Sequence, residues 1–218
     1  MLRYVSSDVL VYQKRPGEAV QTQQGQDLAT RIAAEASLQF DWLQPVHRID
    51  QPVGGLVLFA RSAPVFAALH DQIRATTLQR HYLAVVSDRL DATSGQLRHT
   101  LAPGRGNRSV VATHGRDSVL HYRYLGATRH HHAYAIQLQT GRHHQVRAQF
   151  AAAGAPVVGD AKYGARRKRR DGSIALLAYA LRFVEPTGRR PITVRATAPG
   201  ESLWHDVFAL LEASDLEA

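Results

Sequence analysis

Apolar residues recur along the chain with two periods, and the places where one period gives way to the other mark out its elements. Val9 to Tyr12 is a short apolar run that reads as a strand, whereas Leu28, Ile32, Ala33 and Ala36 follow the i, i+4, i+5, i+8 spacing of one helix face. The turn-rich stretch Gln44 to Gly55 leads into the apolar run Leu56 to Ala60, whose length suits a buried strand. Ser62 is placed to cap a helix with Pro64 in its first turn and Phe66, Leu69 and Ile73 along one face. Tyr82 to Val86 predicts the next strand. Residues 119 to 124 and 133 to 139 alternate, with Tyr134, Ile136 and Leu138 on one side and Ala135, Gln137 and Gln139 on the other.

From His144 the period becomes helical through Val146, Phe150 and Ala153, with Gly154 and Pro156 as a stop signal. Leu176 to Phe183 and Ile192 to Ala196 predict two more strands around a Glu185 to Gly188 turn. Leu203, Val207, Phe208 and Leu211 form the stripe of a closing helix. Many strands broken by a few helices, without regular βα alternation, predict an α+β fold with a mixed, largely antiparallel sheet and flanking helices. No internal repeat or long linker divides the 218 residues, so one domain spanning 1–218 is the expected unit.

Composition narrows the chemistry. The chain has no cysteine, which excludes a disulfide framework, a thiolate nucleophile, an iron–sulfur cluster and any zinc site with Cys ligands. No apolar run reaches the roughly 18 residues of a membrane helix, and the first residues lack the apolar middle of a signal peptide, so a cytoplasmic protein is expected. Charge is unevenly spread. Residues 1–97 are balanced, residues 98–200 carry 18 bases against 4 acids, and residues 201–218 carry only acids. Of the 27 bases, 24 are arginine, whose planar fork suits phosphate and whose face stacks on bases. A basic middle of this kind points to a polyanion, nucleic acid first, although a solvated basic face has the same composition.

Three segments carry candidate chemistry. In HRID, His47 to Asp50, a carboxylate follows an arginine in a turn punctuated by Pro52, Gly54 and Gly55; Asp50 there is a nucleophile, a general base or simply a turn-capping residue. In TGRHHQVRAQF, Thr140 to Phe150, a glycine, two arginines and a helix start suit phosphate, and equally an ordinary turn. In RHYL, Arg80 to Leu83, Tyr82 offers a ring to a nucleobase or fills the core.

Taken together and in order, HRID with GGLVLFAR, RHYLAVV, TGRHHQVR, GAPVVGDAKYG and LLAYALRF with EPTGRRPITVRA resemble the RluA family of RNA pseudouridine synthases. The resemblance runs from about Val9 to about Ala198 and describes a small member with no preceding S4-type RNA-binding domain. It implies a catalytic cleft that isomerises uridine to pseudouridine in structured RNA, ribosomal or transfer, without cofactor or metal; a monomer is expected because no apolar stripe remains beyond the core faces. Asp50 takes the place of the family's essential aspartate, Arg147 that of the arginine paired with it, and Tyr82 that of the ring packed on the base. Arg48 matches an arginine associated with opening the RNA. The expected RNA contacts are Arg48, Arg142, His144, Gln145 and Lys162, with the basic loop Arg166, Arg167, Lys168, Arg169 and Arg170. Gly104, Arg105, Gly106 and Arg108 mark a turn-rich insert read as a second, flexible contact.

Val53 and Gly54 stand where the family commonly has Thr and Ser, His143 where it has Thr or Ser, and Gln149 and Leu177 where it has His. These departures bear on the choice of RNA and leave Asp50, Tyr82 and Arg147 in place. His130, His131 and His132 do not predict a metal site, because adjacent residues on a strand face opposite ways. Two rival readings remain: a non-catalytic RNA-binding or ribosome-assembly factor on the same fold, and a glycosidase or nucleosidase, which needs a second carboxylate that the catalytic segments do not supply.

Overall fold

The computed structural model describes residues 1–21, 27–35 and 41–214. Its strands in chain order are β1 (Leu2–Val5), β2 (Val9–Lys14), β3 (Gln44–Pro45), β4 (Gly54–Ala60), β5 (Gln79–Val86), β6 (Ser94–Gly104), β7 (Arg108–Val111), β8 (Arg116–Ala127), β9 (His132–Leu138), β10 (Leu176–Val184) and β11 (Pro191–Arg195). Its helices are α1 (Leu28–Glu35), α2 (Ala63–Arg74), α3 (Gln145–Ala152) and α4 (Ser202–Ala213), with a 3-10 turn at Ala161–Tyr163. The architecture is α+β, as the pattern predicts. Among the described residues no helix is long and apolar enough to cross a membrane. The chain divides into two compact units, Met1–Arg80 with Ala178–Ala196, and His81–Leu177 with Thr197–Ala218.

In the first unit the strand order is β1-β2-β4-β10, with β3 on β4 and β11 on β10. The β1–β2, β2–β4, β3–β4 and β10–β11 ladders are antiparallel. All seven residues of β4 are buried, which is why its sequence is continuously apolar instead of alternating. Leu28 and Ile32 of α1 and Val65 and Leu69 of α2 complete this core; Ala36, on the predicted α1 face, lies outside the described residues. Ser62 caps α2 by accepting the N–H of Val65 at 3.4 Å, with Pro64 in the first turn. The buried face is one residue off the expected stripe. Phe66 is half-exposed and packs beside Trp42 and His70, at ring separations of 5.9 and 4.2 Å.

The turn between β3 and β4 is docked on β4 twice. Val46 N–H donates to Leu58 O at 2.8 Å, and Leu58 N–H donates to Nε2 of the buried His47 at 3.2 Å. That bond requires an unprotonated Nε2, and burial, aided by Arg80 and His70, lowers the pKa of His47 to about 3. Gly55 holds φ at +118°, and a Cβ there would stand 2.3 Å from Ala178 O, so only glycine lets β4 begin where it does.

In the second unit the order is β5-β9-β8-β6-β7, and the β8–β9, β6–β8 and β6–β7 ladders are antiparallel. Tyr134, Ile136 and Leu138 are buried and their alternates are more exposed, as their spacing predicts. The Gly104–Arg108 insert is the turn of a β-hairpin, with Gly104 paired to Arg108 and Pro103 to Ser109. Strands β1, β3, β6 and β7 are not among the predicted elements: β3 is two residues inside the stretch read as turn, and ten of the eleven residues of β6 are at least partly exposed.

Helix α3 differs from the expected one-sided helix. Every residue from Gln145 to Phe150 is buried, so its polar side chains need partners inside the protein. Gln149 Nε2 donates to Leu97 O at 2.9 Å and to Ser118 O at 3.0 Å. The closing helix α4 buries Trp204, Val207 and Leu211, with Leu203 and Phe208 at the margin of the predicted stripe.

Two outcomes follow from this packing. Gly55→Ala combines a disfavoured backbone angle with a backbone clash, and its unfolding free energy in urea falls by about 2–4 kcal/mol. His47 accepts a proton readily only when unfolded, so its contribution is complete above pH 6.5 and is lost as pH falls from 6.5 towards about 3. Wild type therefore loses up to about 1.4 kcal/mol per pH unit at this group between pH 6 and 4. In His47→Gln, whose amide oxygen accepts the same N–H, urea titrations show that part of the slope gone.

Candidate active site

The sequence HRIDQPVGG places a charged group on a turn, and the structure shows how that turn is held. Val53 N–H donates to Asp50 O at 3.0 Å, closing the turn, while Gly17 N–H donates to Gln51 O at 2.7 Å and Gln51 Nε2 to Gly17 O at 3.0 Å. The β2–β4 register sets Lys14 opposite Gly55, at the same end of the strands as the turn. Lys14, only 1% exposed, donates from Nζ to Arg15 O at 3.0 Å, Glu18 O at 2.7 Å and Gln51 O at 3.2 Å.

Three carbonyls saturate the three N–H bonds of the ammonium, which makes Lys14 a clamp between the β2 turn and the residue after Asp50. Burial lowers its pKa to about 8, against the opposing pull of Glu18 and Asp50. Lys14 thus sits within electrostatic reach of the half-buried Asp50. The sequence alone assigns no role to Lys14; its burial is the missing signal. Arg48, exposed on the same turn, reaches Gln21 Oε1 at 3.5 Å.

In the second unit the entry to α3 is stapled by Gln145. Its Oε1 accepts from Thr140 Oγ1 at 2.8 Å and Arg142 N at 2.9 Å, and its Nε2 donates to Val119 O at 3.1 Å. His144 takes a left-handed conformation at φ 51°, which turns the chain into the helix. One turn on, Arg147 is 4% exposed. Its Nε donates to Asp160 Oδ2 at 2.6 Å and its NH2 to Asp160 Oδ1 at 2.9 Å, and its guanidinium lies 4.9 Å from the Tyr163 ring centre. This edge-on pairing leaves NH1 outside the Asp160 fork.

Tyr163 OH accepts Ser109 N–H at 2.7 Å and lies 2.9 Å from His144 Nδ1. Burial, with Arg147, His143 and Lys162 nearby, lowers the pKa of His144 to about 3. A neutral imidazole with the phenol donating to Nδ1 carries its own proton on Nε2. Tyr82, on β5, is 8% exposed.

The expected RNA contacts fall into three groups. Arg48, Arg166, Arg167, Lys168 and Arg170 are exposed. Arg142 and Lys162 are half-exposed and tied to backbone, Arg142 Nε to Asp117 O at 3.1 Å and Lys162 Nζ to Asn107 O at 3.0 Å. His144, Gln145 and Arg169 are engaged inside the protein, Arg169 with Ser173 and Glu201. Sequence reading also passed over Asp160, the carboxylate that orients Arg147. It lies in GDAKYG, and nothing local in the sequence links it to a residue 13 positions away.

Residues 8–152, two thirds of the chain and the stretch holding Asp50, Tyr82 and Arg147, match the family model described as RNA pseudouridylate synthase. Ribosomal large subunit pseudouridine synthase D of Xanthomonas campestris is 35% identical over 186 residues, covering 78% of this chain and 55% of that protein. The uncharacterized RNA pseudouridine synthase YhcT of Bacillus subtilis is 29% identical over 160 residues, covering 72% and 53%. The chain spans about half the length of these curated relatives. Human RNA pseudouridylate synthase domain containing 1 has the same fold at a TM-score of 0.74, with 20% identity over 96% of this chain and 93% of that one. Motifs, matched span and fold agree: the chain belongs to the RNA pseudouridylate synthase family.

Proposed function

We propose that this protein isomerises uridine to pseudouridine in structured RNA, acting as a cofactor-free monomer with Asp50 as its nucleophilic carboxylate. The observation that carries this reading is the place of Asp50: at the family's aspartate position, on a turn clamped by the buried Lys14 through Gln51 O at 3.2 Å. The name of the Xanthomonas relative makes large-subunit ribosomal RNA the first substrate to test, with transfer RNA the second.

The isomerisation breaks the bond from C1′ of the ribose to N1 of the base and forms one from C1′ to C5. The C5 proton is lost to solvent and N1 gains one, so no electrons enter or leave. The carboxylate assists departure of the base, either by adding to the ribose or by promoting a glycal. Such a group works only when ionised in a partly dry site, and the family's paired arginine, whose position Arg147 occupies, is assigned that role. Tyr82 stacks on the base and assists loss of the C5 proton, and Arg48 fills the space of the extruded nucleotide. Extrusion costs a few kcal/mol, roughly, which stacking and phosphate contacts offset.

Asp50→Asn lowers tritium release from RNA carrying 5-tritiated uridine by about a thousandfold or more, while its affinity for the same RNA stays within about threefold of wild type. Release at the wild-type rate contradicts the assignment. Asp160→Asn leaves a buried guanidinium with half its fork, and its stability in urea falls by about 3–5 kcal/mol, with slower tritium release even where it remains folded. Pseudouridine mapping in ribosomal and transfer RNA from a deletion strain and its parent identifies the target.

A further inference from the structure

The five consecutive bases Arg166 to Arg170 form a stretch that self-repulsion should splay into solvent. The structure shows the opposite at one of the five. The side chain of Arg169 is 17% exposed, and its Nε donates to Ser173 Oγ at 2.8 Å while its NH2 binds Glu201 Oε2. Asp171 Oδ1 accepts from Ser173 N at 3.1 Å and Ser173 Oγ at 2.8 Å, and Gly172 N–H closes back onto Arg169 O at 3.1 Å. The Arg169 stem lies flat on Gly159: a Cβ there would stand 2.7 Å from its Cγ. Gly159 immediately precedes Asp160, so one short backbone segment both seats the loop's anchor and carries the carboxylate that orients Arg147.

Arg166, Arg167, Lys168 and Arg170 are all exposed. We propose that residues 165–171 are a preorganised phosphate-binding loop, in which these four bases contact the RNA backbone and Arg169, tethered by Glu201, holds the loop and makes no phosphate contact. The proposal rests on the RNA-modifying reading above and adds to it a surface outside the matched family span. A loop fixed before binding loses less freedom on meeting a polyanion than a free cationic tail does, so the tether adds affinity without adding a contact.

Glu201→Gln separates this from simple electrostatics, because removing an acid from a protein that binds a polyanion tightens binding unless that acid has a structural task. Glu201 makes no side-chain cap at the start of α4, and its side chain is 42% exposed, so the variant keeps its fold. With a fluorescein-labelled RNA hairpin as probe, Glu201→Gln weakens binding by about fivefold and leaves the slope of log Kd against log salt unchanged. Arg167→Gln and Lys168→Gln each lower that slope by about 0.7–0.9, whereas Arg169→Gln weakens binding with little change of slope. Without RNA, trypsin cuts the 165–171 loop faster in Glu201→Gln than in wild type.

Unchanged or tighter binding by Glu201→Gln, an unchanged trypsin rate, or a slope change in Arg169→Gln equal to that of Arg167→Gln overturns the proposal. If these results accompany wild-type tritium release, only the loop assignment falls. If the wild-type chain neither binds the hairpin nor releases tritium, the functional reading falls with it.

Discussion

A guanidinium can be buried only if its charge is met, and the Arg147–Asp160 pair meets it through two parallel bonds in a nearly dry interior. Much of the second unit's polar architecture is arranged around that requirement. Tyr163 lies against the guanidinium, His144 bonds Tyr163, Ser109 donates to the same phenol, and Gln145 fixes the entry of the helix on which Arg147 rides. Low dielectric makes such a network costly to leave half-satisfied, and for the same reason it fixes the arginine's orientation.

The first unit solves the same problem with backbone. Lys14 is as deeply buried as the ion pair, yet carbonyl oxygens, not a carboxylate, satisfy it. A neutral set of acceptors leaves the ammonium's charge uncancelled, and Glu18 and Asp50 both pull its pKa upward against burial. One charge is neutralised to become rigid; the other is kept to shape its surroundings. His47 adds a third device, an imidazole standing in for a backbone acceptor on β4, which docks the turn only while it remains neutral.

Arginine therefore has two different tasks in this chain. Arg147 and Arg169 are structural in the sense that each is held by a carboxylate from elsewhere in the fold, whereas Arg48, Arg166, Arg167 and Arg170 face solvent. The net charge of +9 records only the sum of these tasks. Some arginines thus hold the fold together while others stay exposed.

What the sequence by itself determined was whatever depends on near neighbours: the buried β4, the alternation of β9, the Ser62 cap, the turn carrying Asp50, the family motifs and the basic middle. Period and capping are set by residues within a turn or two of each other, so they can be read along the chain. Tertiary structure alone decided which charges are paired, because Arg147 meets Asp160 across 13 positions, Arg169 meets Glu201 across 32, and Lys14 meets Gln51 across 37. It also decided that α3 is buried all round and that Gln145 is a staple, since a helix's surroundings are not written in its own period. Which bases remain for a ligand is settled only when the fold has claimed the others.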